Sequence, residues 1–172
     1  PSNGLIKKWR NAQRVVDMNN EAPLYNSRLM KIYLEYIIKN YPDISVDSIL
    51  DFAGMTRYEV EDPAHWFNQY QIDSFHEVLV KKTGNLNIAR DVGRYSSSSA
   101  AAGAVKQYVL GLMSLTATYQ LSEKLYPFIS RGASVKAKKI GPSTVEVTAK
   151  PKPGVAEKPY QCANRTGILE GM

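Results

Sequence analysis

Around Ser130-Arg131-Gly132 the apolar pattern of this chain changes period, and that change fixes its fold class. Upstream, Leu29, Ile32, Tyr33, Tyr36 and Ile37 fall at the spacing that collects side chains on one helical face. Downstream, Ala133, Val135 and Ala137 alternate with Ser134, Lys136 and Lys138. Past Gly141-Pro142, Val145, Val147 and Ala149 alternate with Thr144, Glu146 and Thr148. Strict alternation on both sides of a turn predicts an antiparallel hairpin with one buried face. Helices, then a short antiparallel sheet, then a last helix make an α+β domain: a helical body packed on a small sheet, with a C-terminal closing helix.

The 172 residues suit one domain, residues 25–172, preceded by an N-terminal helical arm, residues 1–24. Pro1-Ser2-Asn3-Gly4 has neither an initiator Met nor a signal-peptide pattern, and with the end at Met172 the chain reads as a piece of a longer one. The longest apolar candidate, residues 96–115, is interrupted by Lys106 and Gln107, so no membrane span is expected. One cysteine leaves no internal disulfide and no cysteine-cluster zinc site, and a reducing, cytoplasmic setting is expected. The net charge is +6, gathered at Lys7, Lys8, Arg10 and Arg14 and again over residues 136–158. Neither cluster has the interleaved aromatics of a base-stacking surface, so no nucleic-acid partner is expected.

Leu5, Trp9, Ala12 and Val16 form a thin helical stripe, either lying on the domain or pairing with a second subunit. A helix is predicted over residues 25–40, capped by Asn26 or Ser27 and ended by Tyr41-Pro42. A short one through Ile49 to Ala53 stops at Gly54. Asp62-Pro63 reads as a helix start, and the pattern runs to Lys82 before Thr83-Gly84-Asn85. That helix would carry both histidines, His65 and His76, eleven positions and roughly 16 Å of rise apart, too far to share one metal ion. Asp73 is placed to orient His76. Further helices are expected over residues 87–95, 100–115 and 115–126, the last ended by Pro127. Gly103 and Gly111 sit inside a helical pattern and are no phosphate loop.

Four blocks, taken in order, then carry a resemblance: Tyr25-Asn26-Ser27-Arg28; Ala53-Gly54-Met55 with Asp62 and His65-Trp66-Phe67; Ala89 to Tyr95; and Tyr160 to Glu170. The set resembles the N-terminal sensory domains of bacterial signalling proteins, chiefly histidine kinases and cyclases. It is similar to the 4-vinyl reductase type of ligand-binding domain, which is related in fold to TRAPP trafficking subunits and, more distantly, to haem nitric-oxide-binding sensors. The resemblance implies a small, usually apolar ligand or lipid in an internal cavity, frequent homodimers, and a C-terminal output domain in the full-length chain. Extra metal-binding cysteines or histidines are missing, since Cys162 stands alone. The Tyr-x-Ser-x-Arg haem-propionate motif is also missing, because Tyr95 and Ser97 are followed by Ser99. No cofactor and no metal are expected.

The candidate ligand-binding residues are Trp66, Tyr70, His76, Arg94, Tyr95, Tyr108, Cys162 and Arg165. Trp66, Phe67, Tyr70, Phe75, Tyr95 and Tyr108 are suited either to an apolar cavity or to plain core. Arg94 and Arg165 are suited to hold a ligand carboxylate or phosphate, or to pair with Asp91 or Glu170. Cys162 is a small buried hydrophobe or a thiol facing the ligand. Nothing resembles a catalytic triad or a nucleotide fingerprint, so a non-enzymatic sensor is expected. The alternative is a structural or dimerisation module with no ligand.

Overall fold

The computed structural model describes residues 22–99 and 114–172. The Trp9 stripe, Tyr108 and all but the last two residues of the helix expected over residues 100–115 lie outside the described residues. What is described is α+β: helices packed with two small antiparallel sheets and a C-terminal helix.

Strand β1 (Pro23–Asn26) runs straight into helix α1 (Ser27–Asn40). Asn26 makes the change, its side chain accepting a hydrogen bond from the Arg28 amide at 3.2 Å. The same side chain donates to the carbonyls of Pro63 and His65, so the cap also ties α1 to a distant loop. Met30, Tyr33, Leu34 and Ile37 form the buried face of α1, while Leu29, Ile32 and Tyr36 lie at its margin. Helix α2 (Val46–Phe52) starts on Ser45 and ends before Gly54, whose φ of 63 is the left-handed conformation glycine supplies cheaply. Helix α3 (Arg57–Glu61) opens on a Thr56/Glu59 capping box.

The helix expected from Asp62 begins seven residues later. Asp62 ends α3, and its carboxylate accepts from the Ala64 amide at 2.9 Å, forming a turn rather than a cap. Trp66-Phe67-Asn68 then runs extended as β2 (Trp66–Asn68) against β1, with Tyr25 opposite Phe67. Backbone pairing with β1 wins over the local helix signal. Helix α4 (Gln69–Thr83) starts on an Asn68/Gln71 capping box and stops at Gly84, φ 67. His65 and His76 therefore do not share a helix.

Helices α5 (Ile88–Ser96) and α6 (Leu115–Leu125) follow, and a 3-10 turn, Tyr126–Phe128, carries the chain past Pro127. The hairpin pairs β3 (Ala133–Gly141) with β4 (Thr144–Pro151) in the predicted alternation, Val135 facing Ala149 and Ala137 facing Val147. Residues 129–131 lie along the free edge of β1: the Asn26 amide donates to the Ile129 carbonyl at 3.0 Å and the Arg131 amide to the Leu24 carbonyl at 2.7 Å. Helix α7 (Pro159–Gly171) closes the chain.

The core lies in the helical body. Phe67, Phe75, Met30, Ile37, Ile49, Leu79 and Ile88 are almost fully buried there. The hairpin differs: Ala133 is its only fully buried residue, and Val135, Val145 and Val147 are half-buried. The expected buried face is therefore only partly covered. Helices α5 and α7 meet backbone to backbone through Gly93, Gly167 and Gly171. Beside the seam, Arg90 and Arg94 both bind Glu170, Arg94 Nε at 2.7 Å. The Arg90 hydrogen bond, with Arg94 behind it, holds the Glu170 carboxyl down at about 2.

Candidate functional site

Helix α7 has three working sides. Its glycines face α5. Gln161 and Asn164 turn inward to the helical body. Cys162, Arg165, Ile168 and Leu169 face a cavity of about 750 Å³. That volume is in the range of small-molecule sites. Among the described residues its walls are Leu29 and Ile32 of α1, Leu121 and Leu125 of α6, Ile129, and Val135, Val147 and Ala149 of the hairpin. The half-buried hairpin face is thus a cavity wall, which explains its incomplete packing.

Among the described residues, three charged side chains border this mainly apolar space: Glu157, Lys158 and Arg165. Glu157 and Arg165 pair with each other and are each 16% exposed. Arg165 Nη1 also donates to the Tyr126 hydroxyl at 3.2 Å, which fixes the plane of its guanidinium. Cys162 is exposed on this side of α7, so it is no buried packing residue.

A second chamber, of about 40 Å³, lies on the inner side of α7. It shares Leu29, Tyr126, Ile129, Arg165 and Ile168 with the large cavity, so these five form the partition. Its polar lining includes Tyr25, His76, Tyr160, Gln161 and Asn164. The Tyr25 hydroxyl donates to Gln69 Oε1 at 2.6 Å and accepts from Gln161 Nε2 at 2.5 Å. The Tyr160 hydroxyl donates to Asp73 Oδ1 at 2.7 Å, and Gln69 Nε2 donates to the same oxygen at 2.8 Å. Asp73 thus binds Tyr160 and Gln69 instead of orienting His76. His76 stacks on Tyr160, ring centroids 4.0 Å apart and 13° from parallel, and its Nε2 is buried with no hydrogen-bond partner. A chamber this size takes a water molecule or two. Burial pushes the Tyr25 hydroxyl up to about 12 and His76 down to about 4, with Asp73 opposing the latter. Burial first, then the Asp73 hydrogen bond, raises Tyr160 further. The phenols stay protonated and the imidazole neutral near neutral pH.

Comparison with protein-family models, curated proteins and solved structures returned no match.

Of the sequence candidates, the structure brings Cys162 and Arg165 to the large cavity, and His76 to the small chamber that Arg165 also borders. Tyr108 lies outside the described residues, and the other candidates are placed elsewhere. Trp66 lies under the Arg131 guanidinium, 3.7 Å from the ring centroid. Tyr70 is 65% exposed. Arg94 is engaged by Glu170 and Asp91, the pairing foreseen as its alternative. Tyr95 packs edge-on against Tyr36 with the Lys39 amine above it. Phe67 is core, and Phe75 is core that touches the small chamber. Sequence reasoning missed Glu157, Tyr126, the inner polar network and the hairpin as a wall. A signal existed for Gln161 and Asn164: two amides three apart on one helical side, preceded by a tyrosine.

Among the described residues, no hydroxyl or thiol is hydrogen-bonded to a histidine side chain, and no three His, Cys, Asp or Glu residues gather.

Proposed function

We propose that this chain is a sensory ligand-binding domain of a bacterial signalling protein. It takes a small, mainly apolar molecule between α6, the hairpin and α7. The observation that carries this reading is the 750 Å³ apolar cavity with one wall made by α7. The sequence resemblance to the 4-vinyl reductase type of sensory domain supports it. The cavity's largely apolar lining favours an apolar occupant over water. Ligand filling stabilises one packing of α7 against the hairpin and α6, and that shift in population is the signal passed to an output domain. A homodimer in the cytoplasm is part of the same reading.

Native mass spectrometry of the purified protein tests it. A bound small molecule, and a rise in melting temperature with apolar ligands that Cys162→Phe abolishes, are the expected results. A clean apo mass together with no shift across an apolar ligand panel refutes the proposal. That outcome favours a structural or dimerisation module instead.

A further inference from the structure

Resting on the cavity reading above, we infer that the occupant is a monoanionic amphiphile, a fatty acid whose carboxylate binds Arg165 in exchange for Glu157.

Among the described residues the wall is largely apolar, and its charged side chains gather at one end. There Glu157, Lys158 and Arg165 lie together and sum to one positive charge. With Glu157 displaced, Lys158 and Arg165 remain and leave that end positive, which favours an anionic head group. Burying a charged pair beside apolar surface costs desolvation that a hydrophobic pair would avoid, so the pair is poorly explained as a stabilising device. It is better explained by exchange. Arg165 Nη1 is held by the Tyr126 hydroxyl, and its Nη2 is already paired with a carboxylate, that of Glu157. A ligand carboxylate suits the planar donor fork of the same guanidinium. Glu157 lies on the segment between β4 and α7, outside any helix or strand, so it can leave for solvent without unwinding an element. The acyl chain then lies along Leu121, Leu125, Val135 and Val147. Because Arg165 and Tyr126 are also part of the partition, head-group exchange reaches the Tyr25–Gln161 network of the inner chamber.

The test is isothermal titration calorimetry of the full chain with dodecanoate, methyl dodecanoate and dodecyl phosphate. Dodecanoate is expected to bind about tenfold more tightly than its ester, the scale of one charge-assisted hydrogen-bonded contact. Glu157→Gln removes the internal competitor and should tighten dodecanoate several-fold while leaving the ester unchanged. Arg165→Gln should erase the preference for the acid. Should Arg165→Gln fail to fold, Glu157→Gln and Arg165→Lys decide the matter, the lysine retaining the charge but losing part of the preference. Equal affinity for acid and ester, or an unchanged acid affinity in Glu157→Gln, overturns the exchange while leaving an apolar-ligand sensor standing. Tighter binding of the phosphate overturns the choice of carboxylate. If only uncharged compounds outside this series bind, the inference falls alone. If nothing binds, it falls together with the proposed function.

Discussion

Replacing Gly167 by Ala should unfold this protein more easily, although the same change on an open helix would do the reverse. In a free helix Gly→Ala adds about 1 kcal/mol of stability. Here an added Cβ would fall on the Arg90 carbonyl oxygen and 3.0 Å from the Arg94 amide nitrogen. Both are backbone atoms of α5, so no side chain can rotate away. Overpacking of this kind costs about 1–3 kcal/mol, with the upper end expected where backbone must move. The helix-propensity gain offsets part of it, leaving a net loss of about 2 kcal/mol. For a domain of this size that is a fall in melting temperature of roughly 4–8 °C. Thermal unfolding followed by circular dichroism, with urea titration alongside, measures it. Gly93→Ala, whose Cβ would lie 2.8 Å from the Ile168 amide nitrogen, should behave alike. An unchanged or raised melting temperature in both variants would show that α5 and α7 separate freely and that their contact is not a seam.

Tyr25→Phe removes the hydroxyl between Gln69 and Gln161 and should cost about 1–3 kcal/mol in urea unfolding; no loss would mean that the two amides, already 3.4 Å apart, pair directly. Asn68→Ala removes the cap of α4 and should cost about 1 kcal/mol by the same assay, with an unshifted midpoint refuting the capping role. His76 gives a pH dependence of defined sign. Its folded value, about 4, is depressed below the ordinary 6.5, so the unfolded chain binds its proton first. The stability it contributes is present above pH 6.5 and is lost as pH falls through about 4. His76→Phe, which keeps the stack on Tyr160, should flatten the slope of stability against pH in that window; an unchanged slope would place the acid sensitivity elsewhere.

Helix ends and the hairpin were legible because their signals are local. Asn26, Gly54, Gly84 and Pro127 each act within a turn of their own position, and the hairpin alternation needs only its own residues. Strand β2 was not legible. Three residues are too few to show a period, and Asp62-Pro63 offered a helix start that pairing with β1 overrode. That misplacement carried Trp66 into the candidate site on the strength of a helix it does not belong to. The cavity was illegible for a different reason. Leu29, Leu121, Val147 and Ile168 come from four separate elements, and nothing local distinguishes a residue facing a void from one facing core. Only α7, which supplies a charge, a thiol and apolar residues within two turns, announced its part.

The seam between α5 and α7 limits how the domain can move. Gly167 sits on the Arg90 carbonyl, and Gly171 repeats the arrangement on the Arg94 carbonyl, four residues further along both helices. Such a repeat is a detent. A slide of less than four residues drives a side chain of α7 onto the α5 backbone, so the permitted stroke is nothing or about 6 Å. Sliding α7 alone is therefore a poor response to a ligand. The motion left is a tilt of α5 and α7 together as one lever, with Glu170 gripped by both arginines as its pin. Cross-linking the two helices should leave a ligand response intact, and a response abolished by the cross-link would show that α7 travels by itself.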